Sequence, residues 1–278
     1  ANGQLASEIK FLQTKFSAFQ FSFTSQSETD ISDKNAVEQI VKTEAPQFII
    51  NCAAYTAVDK AETDMERAYE INEIGAKNLA EVAKANQIFL IHISTDFVFD
   101  GKKSSPYIES DAVNPLSVYG SSKLKGELAI QNSLCDYTII RTSWLYSSFG
   151  NNFVKTMMRL GAEKESLNVV ADQIGSPTYC RDLAQFILSN IEQFYTHNQN
   201  IYHYSNEGVA SWYDFAYEIM LQNHLKCKVN PIPTSGYPTP ATRPAYSVMD
   251  KSKLKTHFSY TIPHWKESLT QCIQLLQG

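Results

Sequence analysis

The alternation of short apolar segments with longer amphipathic ones is the feature that most constrains how this chain can fold. Short apolar runs predict buried strands, and segments with apolar residues three or four positions apart predict helices. In chain order the predicted elements are a strand at 19–24, a helix at 33–43, a strand at 47–52, a helix at 64–85, a strand at 89–94, a helix at 116–131 and a strand at 137–141. This order favours an α/β fold with a Rossmann-like, doubly wound parallel sheet covered by helices on both faces.

The alternation loosens after Ser143, which indicates a second structural unit. The expected elements there are helices at 151–160, 181–193, 211–222 and 264–277, a strand at 167–170 and a proline-rich loop at 231–244. We therefore expect a nucleotide-binding domain over residues 1–145 and a smaller α/β substrate domain over residues 146–278. A segment at about 179–203 is expected to return to the first domain.

The chain opens directly on a helical pattern, whereas a parallel α/β domain normally opens on a buried strand and a glycine turn. In Ala1-Asn-Gly-Gln-Leu-Ala6, the small residues Gly3 and Ala6 match the last two positions of such a turn. By analogy with this fingerprint, we expect the intact protein to have roughly 7 further residues, including the first strand and the first glycine. The alternative is that the segment is an ordinary turn.

Charge and cysteine content disfavour several classes of function. The net charge is −5 with both signs dispersed, so no basic patch indicates nucleic acid or a membrane surface. No apolar run reaches the roughly 18 residues of a membrane-spanning helix. The five cysteines and six histidines lack metal-ligand spacing, and an odd cysteine count argues against a closed disulfide framework. We expect reduced thiols in a cytoplasmic protein, and a structural role for His92.

Tyr119 and Lys123 are four positions apart in a predicted helix, so they share one face about one turn apart. A lysine ammonium beside a phenol favours the phenolate, and we therefore expect Lys123 to lower the pKa of Tyr119. Thr95, at the end of a predicted strand, offers a hydroxyl that could hold the same substrate oxygen. The three residues indicate carbonyl/alcohol redox chemistry. The pair alone is also compatible with a surface tyrosine lying on a lysine stem.

Several longer motifs occur together in one order. They are Ala1-Asn-Gly-Gln-Leu5, Asn51-Cys-Ala-Ala-Tyr-Thr-Ala-Val-Asp-Lys-Ala-Glu62, Ser94-Thr-Asp-Phe-Val-Phe-Asp-Gly101, Asn114-Pro-Leu-Ser-Val-Tyr-Gly-Ser-Ser-Lys-Leu-Lys-Gly-Glu127, Arg141-Thr-Ser-Trp-Leu-Tyr146, Asn151-Asn-Phe-Val-Lys-Thr-Met157 and Asp172-Gln-Ile-Gly-Ser-Pro-Thr178. In these motifs the chain resembles the extended short-chain dehydrogenase/reductase superfamily and, within it, the dTDP-4-dehydrorhamnose reductase family. The resemblance runs to about residue 185 and then thins, apart from Arg243-Pro244.

The resemblance implies reduction of the 4-keto group of dTDP-4-dehydrorhamnose (dTDP-4-dehydro-6-deoxy-L-mannose) to dTDP-L-rhamnose with NADPH or NADH, in dTDP-rhamnose and polysaccharide biosynthesis. The cofactor carries the hydride chemistry, while the protein supplies orientation and electrostatics. Tyr119 would donate the proton, Lys123 would also hold the nicotinamide ribose, and Thr95 would orient the reacting oxygen.

The substrate-binding residues that the resemblance implies are Val58, Thr95, Asp96 and Trp144. An aromatic face such as that of Trp144 suits a deoxysugar, because the 6-methyl and C–H groups of the sugar are apolar. Two structural alternatives stay open: Trp144 could be an ordinary core aromatic, and Asp96 could cap the turn that follows it. Arg141 is expected to form a local ion pair.

The cofactor-binding residues that the resemblance implies are Gly3, Gln4 and Leu5 at the pyrophosphate, Asp30 and Ile31 at the adenine, Ala53, Ala54, Tyr55 and Thr56 along the ribose and phosphates, and Tyr119 and Lys123 at the nicotinamide. Plain helix–sheet packing is the alternative for the small residues before Tyr55. An acidic residue after the strand at 19–24 would favour NAD, but Phe23-Thr24-Ser25-Gln26 contains neither an acid nor an arginine. We expect NADPH use, or tolerance of both cofactors.

Some members of the family bind Mg²⁺ through clustered glutamates at a dimer interface. Glu8 matches one such position, but the partner region here is Arg181-Asp182 rather than an acidic pair. We therefore expect no metal-linked dimer and assign no metal ligand. The resemblance leaves a homodimer open.

Rival functions are compatible with parts of the same pattern. A sugar-nucleotide 4,6-dehydratase needs an Asp-Glu couple after the threonine, and here Asp96 is followed by Phe97, which cannot transfer protons. A 4-epimerase, or a related epimerase/reductase, fits Arg141-Thr-Ser-Trp144 less well than a reductase does. A non-catalytic, reductase-like regulatory subunit of methionine adenosyltransferase is disfavoured because the chain retains the active-site motif.

Overall fold

The fold is built from alternating strands and helices, and the computed structural model describes residues 2–277 of it. The strands are β1 (Phe48–Asn51), β2 (Phe89–Thr95), β3 (Tyr137–Thr142), β4 (Leu145–Tyr146), β5 (Ser166–Val170), β6 (Ile174–Gly175), β7 (Thr178–Tyr179), β8 (Asn200–Tyr204), β9 (Ala210–Ser211) and β10 (Lys228–Ile232). The helices are α1 (Gln4–Leu12), α2 (Lys34–Glu44), α3 (Val58–Ala61), α4 (Met65–Tyr69), α5 (Ala76–Ala85), α6 (Val118–Ser133), α7 (Phe153–Glu163), α8 (Cys180–Ser189), α9 (Trp212–Gln222), α10 (Ser252–Phe258) and α11 (Trp265–Gln277). Ala1, which opens the first motif, lies outside the described residues.

The largest sheet in residues 2–277 is parallel throughout and has the spatial order β1-β2-β3-β8. Asn51 pairs with His92, and Thr95 pairs with Thr142. This register brings the carboxyl ends of the strands to one edge of the sheet. Such an edge is where ligands bind in open α/β sheets.

Helices cover both faces of this sheet. On one face, α1 and α8 bury Ile9 and Leu183 in an apolar cluster that includes Ile91 of β2. On the other face, α2, α5 and α6 form a cluster that includes Leu79 and Ile130. The predicted doubly wound α/β fold is confirmed.

A further apolar cluster lies on the later part of the chain. It joins α7, α9 and α11 to the parallel pair β5 and β10, with Phe215 and Leu269 fully buried in it. Because α8 and β8 belong to the first layers while α7 and α9 belong to this cluster, the chain crosses between the two more than once.

Local signals placed most of the early elements correctly. Asp33 caps α2, since its side chain accepts from two backbone N–H groups of the first turn. The predicted strand at 19–24 is wrong: these residues form no strand, although their phenylalanines pack against the core. An alternating pattern predicts which side chains are buried, but a strand also needs a neighbour that completes its hydrogen-bond ladder. The elements β8 and α10 were not predicted.

Among the helices of residues 2–277, none combines the length and the apolar character needed to cross a membrane.

A glycine lets the helix that carries Tyr119 approach its neighbour closely. Between α4 and α5 the chain forms a π-helical segment, Glu70–Gly75. Gly126 of α6 packs on this segment so tightly that a Cβ at position 126 would lie 2.1 Å from the backbone oxygen of Asn72. Only glycine fits there without moving one of the two backbones.

We therefore expect Gly126→Ala to destabilise the protein by about 1–3 kcal/mol through overpacking, even though alanine gains about 1 kcal/mol in helix propensity. Urea denaturation followed by circular dichroism measures the change. Gly236→Ala is the matched control, because the nearest atom to its Cβ would lie at 3.5 Å. Equal stabilities of the two variants would contradict the close contact.

Candidate active site

Two adjacent polar side chains, Thr95 and Asp96, lie almost fully buried where β2 ends. The Thr95 hydroxyl donates to Asp96 Oδ1 at 3.1 Å and accepts from the backbone N–H of Phe97 at 3.2 Å. Burial raises the pKa of Asp96 to about 6, although hydrogen bonds from Ser247 and Thr95 oppose the rise. A hydroxyl and a carboxylate therefore meet at the carboxyl edge of the sheet.

Tyr119 lies in the first turn of α6, which Ser117 caps. Its ring is partly exposed and packs edge-on against the ring of Phe97, with centroids 5.5 Å apart. Burial raises the pKa of the Tyr119 hydroxyl to about 12, while hydrogen bonding to Thr95 lowers this pKa and the charge of Asp96 raises it. Tyr119 thus shares its surroundings with Thr95 and Asp96, and its phenol is protonated at neutral pH.

Lys123 lies one turn further along α6, and its side chain is directed to β2. Its Nζ donates to the backbone oxygen of Ile93 at 2.6 Å and lies 3.3 Å from His92 Nε2. Burial lowers the pKa of Lys123 to about 8. The prediction that Lys123 lowers the pKa of Tyr119 is wrong, because burial of the phenol dominates and raises that pKa.

Trp144 follows β3 with a φ of 46°, a left-handed conformation that is rare for a bulky residue. Its ring stacks on Trp212, with centroids 3.7 Å apart and planes inclined by 10°. A Cβ at Gly175 would lie 2.8 Å from Cε2 of Trp144, so glycine leaves room for the ring. Strained, partly exposed residues of this kind are frequent at ligand sites. The stacking partner Trp212 was not identified from the sequence.

Val58 opens α3 and is partly exposed. The next residue, Asp59, accepts from both terminal nitrogens of Arg243, at 3.0 and 2.8 Å. This bidentate pair connects α3 to the proline-rich segment that precedes Tyr246 and Ser247. Arg243, from the Arg243-Pro244 match noted in the sequence, therefore fixes the segment on which Val58 lies.

The amino end of α1 is open in the way that a phosphate site requires. Gly3 precedes the helix without a side-chain cap, and no atom of the described chain lies within 4 Å of where its Cβ would be. Backbone N–H groups at a helix N-terminus attract phosphate. Gln4 accepts from Asn152 at 2.9 Å, and the Leu5 side chain is buried in the core. Leu5 can therefore offer a ligand its backbone only.

The loop after β1 presents residues 53–56 to the same edge, all of them at least partly exposed. Asn72 holds this loop through the Tyr55 backbone. Its Oδ1 accepts from the Tyr55 N–H at 2.9 Å, and its Nδ2 donates to the Tyr55 backbone oxygen at 3.2 Å. The same Nδ2 donates to the Ser122 hydroxyl of α6 at 2.9 Å. Asn72 thus connects the loop to the helix of Tyr119, a role for which the sequence contains no local signal.

Two acidic residues lie near the predicted adenine position. Asp30 accepts from the Ser32 hydroxyl at 2.7 Å and from Arg67 at 3.2 Å, and these bonds lower the pKa of its carboxyl. Glu28 folds back on Ser25 and accepts from its N–H and its hydroxyl, each at 2.6 Å. Glu28 lies two positions beyond Phe23-Thr24-Ser25-Gln26, the segment that contains no acid.

Ile31 borders the same region. Asn78 Nδ2 donates to its backbone oxygen at 3.0 Å, and its side chain packs so closely on Gly75 that a Cβ there would lie 2.6 Å away. The start of α5 therefore holds Ile31 in place.

The residue considered as a metal ligand, Glu8, is fully buried and already paired. It accepts from the Ser147 hydroxyl at 2.6 Å and from Arg181 Nε at 2.8 Å. Among residues 2–277, no group of three or more His, Cys, Asp or Glu side chains is arranged to hold a metal ion. Glu8 therefore connects α1 to the start of α8.

The ion pair predicted for Arg141 is confirmed, and its partner is Glu127 of α6. Arg141 Nη2 lies 2.7 Å from Glu127 Oε2, and both side chains are nearly inaccessible to solvent. The Ser94 hydroxyl donates to the same carboxylate. Helix α6 is thereby bound to β2 and β3 at once.

Comparison with known proteins gives a consistent result. The family described as the RmlD substrate binding domain matches residues 1–277. A dTDP-4-dehydrorhamnose reductase of Aggregatibacter actinomycetemcomitans is 41% identical over 97% of this chain and 95% of its own. A solved structure of a dTDP-4-dehydrorhamnose reductase from Clostridium acetobutylicum has a TM-score of 0.95 and 43% identity, covering 100% of this chain and 97% of that one. A Bacillus anthracis dTDP-4-dehydrorhamnose reductase, solved in complex with NADP, has a TM-score of 0.93 and 39% identity, covering 98% and 96%.

We expect Tyr119 to remain a phenol throughout the neutral range, because burial raises its pKa to about 12. Ultraviolet difference titration of the intact protein and of Tyr119→Phe measures tyrosinate formation. Below about pH 10, the ordinary pKa of an exposed tyrosine, the two proteins should ionise equally. An additional ionisation near pH 8 in the unsubstituted protein, absent from the variant, would contradict this expectation.

Proposed function

The chain belongs to the family described as the RmlD substrate binding domain, which matches residues 1–277, and we propose that it reduces the 4-keto group of dTDP-4-dehydrorhamnose to give dTDP-L-rhamnose. The observation that carries this proposal is the meeting of Thr95, Asp96 and Tyr119 at the carboxyl edge of the sheet. The names of its relatives, one of them solved with NADP, support the same substrate and NADPH or NADH as the cofactor.

The open edge fits a dinucleotide. The uncapped start of α1 at Gly3 suits the pyrophosphate, because its N–H groups are free to donate. Residues 53–56 suit the ribose and phosphates, while Asp30 and Ile31 border the adenine. A bound nicotinamide cofactor supplies the hydride. Lys123 holds the nicotinamide ribose in this proposal.

Proton donation falls to Tyr119. Its phenol is protonated at neutral pH, and an alkoxide at C4 of the sugar is a much stronger base than a phenolate. The proton therefore moves downhill even from a phenol with a raised pKa. Thr95 donates a hydrogen bond to the same sugar oxygen and orients it, which requires its hydroxyl to turn from Asp96 Oδ1.

The sugar itself would lie between Val58, Asp96 and Trp144. The fixed ring of Trp144 offers an apolar surface for the 6-methyl group. Asp96 offers a buried carboxylate as a hydrogen-bond acceptor for a sugar hydroxyl. Of the two alternatives for Trp144, a ligand surface is favoured over a core position, because the residue keeps a strained backbone and a partly exposed ring.

The arrangement at Phe97 argues against a dehydratase. Elimination of water needs a second acid/base group next to Asp96, and here an apolar ring packs on Tyr119 instead. A purely regulatory subunit would have no need to preserve Thr95, Asp96 and Tyr119 in contact. Reduction without elimination is therefore the chemistry that this site supports best.

Residues 1–145 form the cofactor-binding part in this proposal, and residues 146–278 form mainly the substrate-binding part. The placement of α8 and β8 against the first sheet supports the return of residues 179–203. The five cysteines are free thiols, in keeping with action in the reducing cytoplasm. A homodimer stays a prediction from the family resemblance.

Tyr119→Phe should lower kcat by about 10²–10⁴, the usual contribution of a positioned acid, and leave NADPH binding nearly unchanged. Oxidation of NADPH in the presence of the keto sugar measures turnover, and quenching of protein fluorescence measures cofactor binding. Tyr217→Phe is the control, because Tyr217 is exposed on α9. If kcat barely changes, Tyr119 is not the proton donor.

We expect kcat/KM to be higher with NADPH than with NADH, or similar for both. Glu28→Gln should increase the NADPH/NADH ratio by about two- to fivefold, because an exposed carboxylate repels a 2′-phosphate weakly. Glu192→Gln, at an exposed position on a different turn, should leave the ratio unchanged. A strong preference for NADH in the unsubstituted enzyme would overturn the expectation.

A further inference from the structure

A row of buried polar side chains lies beneath the proposed nicotinamide position. Asn51, His92 and Lys123 are only 4%, 1% and 1% exposed. Asn51 Nδ2 lies 3.0 Å from His92 Nδ1, and His92 Nε2 lies 3.3 Å from Lys123 Nζ. The row crosses from β1 through β2 to α6, and no part of the reaction described above uses Asn51 or His92.

One backbone group fixes the direction of the first hydrogen bond. The Ala53 N–H lies 3.0 Å from Asn51 Oδ1, and an N–H can only donate. The amide oxygen of Asn51 must therefore face Ala53, and its NH₂ group must face His92. Because an NH₂ group also only donates, His92 Nδ1 has to be the acceptor. A neutral imidazole that accepts at Nδ1 carries its proton on Nε2.

The same reasoning extends to Lys123. With a proton on Nε2, His92 donates toward Nζ, and Nζ can accept only if it has a free lone pair. A lysine ammonium has three donors and no acceptor, whereas the neutral amine has one lone pair. The amine can at the same time donate to the backbone oxygen of Ile93, 2.6 Å away. Both short contacts of Nζ are therefore satisfied by the uncharged form.

We propose that Asn51 and His92 form a tautomer lock, a pair of positioning residues that presents an N–H to Lys123 and thereby favours its neutral amine over its ammonium form when the site is empty. The hydrogen bonds from Ala53 through Asn51 to His92 leave one orientation for each group, and the 3.3 Å contact of His92 carries this preference to Lys123. Removing Asn51 or His92 would leave every proposed substrate contact in place. It would change how readily Lys123, the proposed ligand of the nicotinamide ribose, carries a charge.

The ionisable groups around Lys123 act on the same equilibrium. Burial is the main cause that lowers its pKa to about 8, while Glu127 of α6 and Cys52 after β1 oppose the shift, so the neutral amine is accessible just above neutral pH. Glu127 is already paired with Arg141 of β3, and burial raises the pKa of Cys52 to about 12. Burial and the neighbouring Lys123 lower the pKa of His92 well below its ordinary value, so the ring is neutral.

The lock also affects how Tyr119 recovers its proton, a step that rests on the proposed reaction. After Tyr119 has given its proton to the sugar oxygen, the phenolate takes a proton from the ammonium form of Lys123. Lys123 then returns as a neutral amine to His92 and takes its next proton from solvent. The lock favours the neutral amine that Lys123 becomes after it has given up its proton. The pKa of Lys123 sets the alkaline limb of the pH profile, because only the protonated amine can return a proton to Tyr119.

Asn51→Asp should move the ring proton of His92 from Nε2 to Nδ1 while almost preserving the shape of the side chain at position 51. The carboxylate still accepts from Ala53 N–H, but it also accepts from His92, which moves the ring proton to Nδ1. Nε2 then becomes an acceptor that favours the Lys123 ammonium. His203 is an internal reference, because its Nδ1 lies 3.1 Å from the Tyr107 backbone oxygen and must carry a proton.

Long-range ¹H–¹⁵N correlation spectra of the ligand-free protein labelled with ¹⁵N-histidine report each tautomer at pH 7. We expect His92 protonated on Nε2 and His203 on Nδ1, and in Asn51→Asp we expect both on Nδ1. His92→Gln identifies the His92 signals. Finding His92 charged, or protonated on Nδ1, in the unsubstituted protein would overturn the lock, and this result does not require the variant to fold.

The second measurement is the pH dependence of kcat/KM for the keto sugar. Asn51→Asp should move the alkaline limb to higher pH by about one unit, since an opposite charge in the network favours the ammonium. If the tautomer of His92 has switched in Asn51→Asp but the alkaline limb of kcat/KM does not move, the lock has no role in proton return. If the unsubstituted protein shows the expected tautomers of His92 and His203 but does not reduce the keto sugar, the proposed function is refuted and the lock is not.

Discussion

The buried ion pair between Glu127 and Arg141 is the interaction on which the geometry of the site depends. Glu127 lies one turn beyond Lys123 on α6, and its carboxylate also accepts from Ser94, the residue before Thr95. One carboxylate therefore holds the helix of Tyr119, the strand of Thr95 and the neighbouring strand together. Removing one partner of such a pair leaves an uncompensated buried charge and costs about 3–5 kcal/mol, so the three elements are rigidly joined.

Burial changes the acid–base properties that the residue types alone imply. The pKa of Tyr119 rises and that of Lys123 falls, because both lose the hydration of their charged forms. A tyrosine that remains protonated suits donation to an alkoxide, and a lysine that readily loses its charge suits proton return. Exclusion of water, more than attraction between the two side chains, therefore sets the pKa values on which the proposed reaction depends.

The sequence placed the candidate site residues on the correct elements where the pattern is local in the chain. Tyr119 and Lys123 were assigned to one helix, and Thr95 to the end of a strand, because helix and strand periods are local. Asn72, Trp212 and the pairing of Glu28 with Ser25 could not be predicted in this way. Each depends on a π-helical segment, a ring stack or a turn whose partners the sequence pattern does not specify. The failed strand at 19–24 has the same origin, since a strand exists only through its neighbour.

The sequence by itself determined the α/β class, the order of most elements in the first half and the position of Tyr119 and Lys123 one turn apart on one helix. These follow from apolar periodicity and from motifs that are continuous in the chain. Only the tertiary structure decided the directions in which the pKa values of Tyr119, His92 and Lys123 shift, the strained backbone of Trp144 and the ion pair of Arg141 with Glu127 that joins α6 to β3. The physical reason is that hydration and hydrogen-bond direction depend on which groups meet in space, and residues far apart in the chain supply them.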